Sequence, residues 1–434
     1  MKQKVAIILT ACLLILMGGS PLYAGQTDSI DIDDAKKEAL LNNPSIKAVK
    51  SRIKQAAESV KQARSTFFPT IDAQYSVTRN DYSDNSLLVA QDHLYSTGLT
   101  ATLVLFDSFN RSFTLKSAKY AEMLTIEAEK DAVRQLTFSV AMAFYHAQLA
   151  RENIAIAKMD KAYYENQLAD ARIKKEAGSG ALSDVLGFQI QVNSSEVNII
   201  QYQKEYTIAL TGLAAIIGYS DAVLPDGTAI SPLRTTPIGD IGETAPEQLI
   251  QEALNNRPDL KQYQFALNQA HLGIKAARSD YFPILSLAGS YNGSRENDSR
   301  FDNDDLSSSI GLNLTVNLFS GGMTNAKIAE AKALRREVGY SLKSYEISVK
   351  EDVIRACSEL DSSKKQLLLQ LENTELAKKS RDIVETEYKE GVTSYVRLTE
   401  AQNILVQNRG RLAQARVGFF QAEEMLKTAT AMDI

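Results

Sequence analysis

The sequence has little of what a disulfide-linked domain or a nucleic-acid-binding protein requires. It contains only two cysteines in 434 residues. Cys12 lies in the first 24 residues, which we predict below to be a cleaved leader, so we expect the mature chain to keep Cys357 alone and to have no intrachain disulfide. An exported protein without disulfides is held together by packing or by assembly. The formal net charge of −5 offers no basic footprint, so we expect no nucleic-acid partner.

Catalytic and metal-binding motifs are also missing. His93, His146 and His271 are spaced for neither a metal site nor a catalytic triad. The "GSG" that starts at Gly178 lacks the Lys-Ser/Thr of a phosphate-binding loop. Cys357 stands among polar neighbours in a long helical run. The sequence therefore predicts no enzymatic activity, no metal and no cofactor.

The long hydrophobic run of this chain is confined to the N-terminus. Two lysines precede an apolar run of 13 residues, Val5 to Met17, and Ala24 offers a small residue for cleavage. The run is too short to span a bilayer as a helix, and no later segment has 18 consecutive apolar residues. We predict a signal peptide at residues 1–24. The alternative is lipidation at Cys12, where "LTAC" resembles a lipoprotein cleavage box.

The rest of the chain consists of two copies of one unit. At an offset of 214 residues, "ALLNNPSIKAV" from Ala39 matches "ALNNRPDLKQY" from Ala253, and "ARSTFFP" matches "ARSDYFP". At an offset of 213, "LVLFDS" matches "VNLFSG". A unit longer than 200 residues is too long for a solenoid repeat. The sequence therefore predicts a tandem duplication of an elaborate substructure.

Both copies predict the same order of helices and strands. The first helix, from about Asp31 to Ser65 and again from about Pro246 to Ser279, ends at an aromatic residue followed by proline. Proline moves the preceding residue toward extended geometry, so helix changes to strand there. We predict a first repeat at 25–217, with a strand pair at 70–106, a long helix at 110–177 and a return helix at 182–217. A linker follows at 218–245. The second repeat, at 246–434, has a strand pair at 284–319, a long helix at 323–390 and a return helix at 395–430.

The predicted strands have one apolar and one polar face. Ile310, Leu312, Leu314, Val316 and Leu318 alternate with polar residues and glycine, which is the period of a half-buried strand. Four such strands of about ten residues have the length and alternation of transmembrane β-strands. Because the smallest membrane barrels have about eight strands, four cannot close alone. The barrel must be shared, with 8 strands from two subunits or 12 from three.

Aromatic residues stand at all four borders between helix and strand. We interpret them as a girdle at the membrane–water interface, and the alternative is that they only pack the junction. The residues are Phe67, Phe68, Phe106, Tyr281, Phe282 and Phe319.

Each strand pair is followed by a very long helical run. Asn110 to Ala177 contains neither glycine nor proline, and Met323 to Glu390 contains only Gly339. Each run has 68 residues, or about 100 Å at ~1.5 Å per residue. Helices of this length favour a coiled coil. Gly178 and Gly391 then permit the turn into the return helix.

These features together resemble the TolC family of outer-membrane efflux proteins. The resemblance covers about residues 25–434 and rests on the duplication, "NNP" and "NNRPDL", the two aromatic-proline motifs, "NLFSGG" and the two glycine turns. It implies a mostly α-helical homotrimer with one 12-stranded barrel in the outer membrane of a Gram-negative bacterium and a helical tunnel through the periplasm. It also implies a passive conduit for efflux or type I secretion, whose partners are a periplasmic adaptor protein, an inner-membrane pump and outer-membrane lipid.

The resemblance also implies a closed entrance at the periplasmic end of the tunnel. Six residues past Gly178 the family places a linking aspartate, which is Asp184 here, and three residues before Gly391 it places a tyrosine, which is Tyr388 here. We expect these two side chains to form a lock. Thr393 stands where a second linking residue, an arginine, would be expected.

Two further sets of residues follow from the same resemblance. Arg397 and Glu400 occupy the positions of a charged constriction ring, with one acidic position retained and the other reversed in sign. The alternative is that both are ordinary solvated charges. The expected adaptor-docking tips of the hairpins are Gly178, Ser179, Gly391 and Thr393.

One other class of protein fits part of the sequence. An exported coiled-coil stalk, such as an adhesin, would explain the leader and the long helices. It would not explain four amphipathic strands at matching points of both copies. The sequence names neither the cargo nor the class of pump.

Overall fold

The computed structural model describes residues 29–80, 92–225, 228–234 and 245–432. The predicted signal peptide and part of the predicted linker lie outside the described residues. Within them, no helix is both long enough and apolar enough to cross a membrane. In chain order the elements are β1 (Ser29–Ile30), α1 (Ile32–Asn42), α2 (Pro44–Ser65), β2 (Thr70–Asn80), β3 (Asp92–Phe106), α3 (Asn110–Glu176), α4 (Leu182–Ile217), β4 (Ala229–Ile230), α5 (Pro246–Asn256), α6 (Pro258–Ser279), β5 (Ile284–Glu296), β6 (Leu306–Thr315), α7 (Met323–Lys389) and α8 (Tyr395–Thr430).

The first helix of the chain is broken where the return helix meets it. Pro44 is the first residue of α2, and the Asn43 side chain caps that helix by accepting a hydrogen bond from the Ser45 amide at 2.8 Å. The same side chain donates to the Ile216 carbonyl at 2.7 Å, which joins the C-terminus of α4 to the N-terminus of α2. Gly218, with a φ of 103°, ends α4 against Asn43 and leaves no room for a Cβ. The two helices therefore form one stacked column.

The second copy has the same junction, but it is built from buried charges. Arg257, which is 214 residues after Asn43, contacts Asp259 at 2.7 Å and Asp352 of α7 at 3.1 Å. Asp259 also accepts from Arg134 of α3 at 2.9 Å and from the Tyr345 hydroxyl at 2.7 Å. Arg134 and Arg257 donate to main-chain carbonyls in the last turn of α8, at 2.7 and 3.4 Å. This charged junction connects helices of both repeats.

The two 67-residue helices run past both columns without a break. The α3 helix packs against α4 and α2, and α7 packs against α8 and α6. Small and branched side chains fill the seams, so that Val140, Ala141 and Leu213 are fully buried in the first repeat and Val349 and Val353 in the second. At ~1.5 Å per residue each long helix spans about 100 Å.

The four long strands form one antiparallel sheet in the order β2-β3-β5-β6. The register aligns Ile71, Ala101, Gly289 and Ile310 across the sheet, so the apolar positions of all four strands share one face. That face is uncovered, with Ile71 73% and Ile310 79% exposed. The opposite face carries serine, threonine and asparagine around a recess of about 500 Å³. Within the described residues, β2 and β6 each have one edge without a partner strand.

The last strand is shorter than the alternation in sequence predicts. The apolar pattern continues to Leu318, but β6 ends at Thr315. Thr315 pairs with Ile284, the first residue of β5, and the residue before that is Pro283, which has no amide hydrogen to continue the ladder. Strand geometry therefore ends with its partner, and Leu318 lies beyond it.

Candidate functional site

Each repeat ends in a helical hairpin, and both hairpin turns use glycine in the left-handed region. Gly178 has a φ of 75° and Gly391 a φ of 79°. Past the first glycine, the Ser179 amide donates to the Lys174 carbonyl at 3.0 Å. The second turn has the equivalent bond from Val392, at 2.8 Å. These bonds satisfy carbonyls at the helix ends, and a side chain at either glycine would be strained.

The two hairpin tips lie side by side. An open groove of about 270 Å³ runs between them. The structure thereby brings together the predicted docking tips and the predicted lock. The polar residues and turn residues that line this groove include Lys174, Ser179, Asp184, Tyr388, Gly391 and Thr393.

The two residues of the expected lock are in contact. The Tyr388 hydroxyl on α7 donates to Asp184 Oδ2 on α4 at 3.2 Å. The tyrosine ring packs edge-on against Phe188, and the Lys174 ammonium lies 5.1 Å from its centre. Burial and the neighbouring Asp184 carboxylate raise the pKa of Tyr388 to about 12. The hydroxyl is therefore protonated and can donate at neutral pH.

Further links between the repeats lie above this contact, and sequence reasoning missed them. Gln167 of α3 donates to Glu385 of α7 at 3.3 Å. Higher up, the buried Asp160 accepts from Ser195 of α4 and from Gln402 of α8, each at 2.8 Å. Glu385 stands three residues before Tyr388 and so shares its helix face, which is the one signal in the sequence. Nothing in the local pattern marks Asp160.

The expected ring residues lie on the first turns of α8. Arg397 and Glu400 are both exposed, and no ion pair joins them within the part of the chain that the structure describes. Leu398, between them, is fully buried and fixes the helix face that they occupy. The ring remains a prediction, because the arrangement of a single chain does not test it.

Reversing the charge of Arg397 is expected to change ion preference. In Arg397→Asp, we expect a clear increase in cation over anion permeability, because each copy replaces a positive charge beside Glu400 with a negative one. Reversal potentials in a salt gradient across planar bilayers measure this ratio. Lys204→Asp, which makes the same change on an exposed position far along α4, is the matched control. An unchanged ratio of cation to anion permeability in Arg397→Asp would contradict the predicted constriction ring.

The border aromatics have different surroundings. Phe67 lies under the Arg111 guanidinium at 4.8 Å, and Tyr281 hydrogen-bonds Asn325. Phe282 lines a recess of about 500 Å³ at the base of the polar sheet face. Six border aromatics are exposed by between 38% and 88%, which leaves the girdle a prediction: Phe67, Phe68, Phe106, Tyr281, Phe282 and Phe319.

A four-stranded sheet with one apolar face, continued by helices of about 100 Å, is the fold of a channel subunit. The sequence profile of the outer membrane efflux protein family matches residues 36–219 and 249–431, one match for each repeat. The chain therefore belongs to the outer membrane efflux protein family, and it is an outer-membrane channel protein of the TolC type.

Comparisons with individual proteins agree with this assignment. The chain is 25% identical over 399 residues to the solvent efflux pump outer membrane protein SrpC of Pseudomonas putida, covering 90% of this chain and 83% of that protein. It is 24% identical over 403 residues to the outer membrane protein TolC of Vibrio cholerae, covering 90% and 88%. The crystal structure of CusC superposes with a TM-score of 0.81 at 19% identity, covering 95% and 96% of the two chains. These matches do not support a stalk or adhesin.

Proposed function

We propose that three copies of this chain assemble into one tunnel across the outer membrane and the periplasm. The tunnel is the passive conduit of a tripartite export system, and an inner-membrane pump supplies the energy. A periplasmic adaptor docks on the hairpin tips at Ser179 and Thr393. The solvent efflux pump named for SrpC supports small molecules as the cargo class.

The open sheet is the observation that carries the proposal. Among the residues that the structure describes, its outer strands, β2 and β6, each have one edge with no partner strand. In lipid each unpaired group costs several kcal/mol, so the edges must close on other copies. Three copies give 12 strands, which leave a lumen, whereas two copies give 8 strands, which side chains fill. Of these two assemblies, the trimer alone combines closed edges with a pore.

Conduction and mass together test this function. Purified protein in planar bilayers is expected to form ion-conducting pores, and native mass measurement in detergent is expected to give three chains per particle. A preparation of intact trimers that never conducts would contradict the conduit. A stable monomer in detergent would contradict the shared barrel.

A charge on the apolar sheet face is expected to prevent assembly in the membrane. Ile310→Arg places a guanidinium in the middle of β6 on the apolar face, at a cost of about 2–4 kcal/mol near the bilayer centre. Ser309→Arg is the matched control, because it makes the same addition one residue away on the polar face. We expect the assembled oligomer in outer-membrane fractions to fall several-fold for Ile310→Arg alone. Equal yields of the two variants would show that the apolar face does not meet lipid.

A further inference from the structure

The helices next to the sheet are basic, although the chain as a whole is acidic. Residues 44–65, 110–134, 258–279 and 323–350 contain 20 Lys and Arg against 9 Asp and Glu, whereas the whole chain has 48 against 53. These four segments form the upper part of the tunnel wall, between the sheet and the two stacked junctions. The positive charge is therefore concentrated immediately below the barrel.

Most of the charge on α2 lies in a single stripe. Its members recur at intervals of three, four and seven residues, which places them on one helix face. All are exposed, and only Lys61 has an ion-pair partner within the described residues, Glu58 at 2.8 Å. The stripe runs from Lys47 to Arg64, 17 residue-to-residue steps or about 25 Å at ~1.5 Å per residue. It consists of Lys47, Lys50, Lys54, Lys61 and Arg64.

The repeat shows which side of the wall the stripe occupies. At the offset of 214 residues, Lys61 and Arg64 correspond to Lys275 and Arg278 on α6. The α6 helix is enclosed by α3 and α7, and its exposed side chains share one face, on which Lys275 and Arg278 follow the uncharged Gln264, Asn268 and His271. Asp280, two residues after Arg278, instead lines the recess at the base of the polar sheet face, the one that Phe282 also lines. Because two residues turn a helix by about 200°, Arg278 and its stripe face away from the lumen.

The neighbouring helices extend this outer surface. One turn below Phe113, whose ring lies 6.0 Å from the Lys275 ammonium, α3 adds the exposed Lys116 and Lys119. A groove of about 370 Å³ between α6 and α7 is lined by Lys332 and Arg336. None of these four added residues has an ion-pair partner within the described ranges. We call the α2 stripe with Lys116, Lys119, Lys275, Arg278, Lys332 and Arg336 the basic collar.

We propose that the basic collar binds the carboxylate-bearing polymer of the cell wall, peptidoglycan. The collar extends about 25 Å below the barrel, whereas the headgroup layer of a bilayer is only about 5–8 Å deep. Lipid phosphates therefore reach the top of the collar and leave Lys47, Lys50 and Lys54 uncovered. Carboxylates repeated along a mesh suit a row of unpaired ammonium groups, because many weak contacts act together. The wall mesh would thereby hold the tunnel at a fixed height.

Co-sedimentation with purified sacculi tests the collar directly. The full chain in detergent micelles is mixed with sacculi at low salt, and the bound fraction is measured by centrifugation. Replacing Lys47, Lys50 and Lys54 with glutamine is expected to weaken binding about tenfold, the combined effect of three exposed charge contacts. Added salt is expected to weaken wild-type binding in the same direction, because screening acts on exposed charges.

The control and a lipid arm separate the alternatives. Replacing Lys204, Lys378 and Lys379 with glutamine removes the same charge from exposed positions on the lower tunnel, and it is expected to leave sacculus binding unchanged. Equal losses in both triple variants, or no binding by the wild type, would overturn the proposal. Stripe-dependent binding to vesicles of anionic phospholipid, with unchanged binding to sacculi, would assign the collar to the membrane instead. These binding measurements do not depend on conductance. The proposal that the collar binds peptidoglycan can therefore be contradicted while the proposed channel function stands, and the reverse also holds.

Discussion

Removing either half of the Tyr388–Asp184 contact is expected to raise single-channel conductance. Tyr388→Phe and Asp184→Ala each remove the hydrogen bond that joins α7 to α4 at the hairpin tips. A hydrogen bond to a charged carboxylate contributes about 1.5–3 kcal/mol when it is shielded from water. Losing it in every subunit shifts the balance between closed and open entrances by roughly tenfold or more. Recordings in planar bilayers measure both the mean conductance and the time spent in the closed state.

A second tyrosine of the same cluster provides the control. Tyr395 packs on Phe188, as Tyr388 does, with ring centres 4.7 Å apart. Tyr395→Phe therefore removes a hydroxyl from the same aromatic cluster without touching the link to Asp184, and its conductance is expected to equal that of the wild type. If intact trimers of Tyr388→Phe and Asp184→Ala conduct like the wild type, the hydrogen bond does not hold the entrance closed.

Breaking the charged junction is expected to cause the largest loss of stability. Arg257→Met leaves the Asp259 carboxylate buried with fewer partners, and removal of one member of a buried ion pair costs about 3–5 kcal/mol. Thermal unfolding followed by circular dichroism in detergent measures the change. The equivalent position of the first repeat supplies the control, because Asn43→Ala removes a neutral helix cap and one neutral hydrogen bond to the Ile216 carbonyl, at about 1 kcal/mol each. Equal losses at both positions would mean that the charges add nothing to the junction.

The same junction has a defined pH dependence. Burial opposes ionisation of Asp259, but Arg257, Tyr345 and Arg134 outweigh it and lower the pKa of this carboxyl below its ordinary value of 3.8. A lowered pKa in the folded state means that the contribution is complete at neutral pH and is lost as the pH falls below that value. Acid unfolding of the wild type should therefore begin below about pH 4, whereas Arg257→Met should unfold at higher pH.

The fold class was predictable because its signals are local. Alternation with period two, proline after an aromatic residue and long runs without proline each act within a few residues. The partners of buried polar groups were not predictable in the same way. Asp160 and Gln402 are 242 residues apart, and Arg134 and Asp259 are 125 apart. Periodicity indicates which face of a helix is buried, but not which helix covers it.

The candidate site divides along the same line. The glycine turns could be read from local chemistry, and the contact between Asp184 and Tyr388 only from the family resemblance. The link from Gln167 to Glu385 required the two hairpins to be placed side by side. The early end of β6 had a similar cause, since Thr315 is the last residue with a partner on β5. In each case the missing information was the identity of a neighbour, which the tertiary structure supplies.

The stacked columns also restrict how such a tunnel can change its length in evolution. Each of the two long helices lies beside a column of two shorter helices that meet end to end. The junction is at Asn43 in the column beside α3 and at Arg257 in the column beside α7. Adding one heptad, about 10 Å, to a long helix alone would put the column beside it out of register by that amount. A longer tunnel therefore requires matched insertions in a long helix and in the column beside it, in both copies of the duplicated unit. Tunnel length should change in coordinated heptad steps, while the hairpin loops and the linker remain free to vary residue by residue.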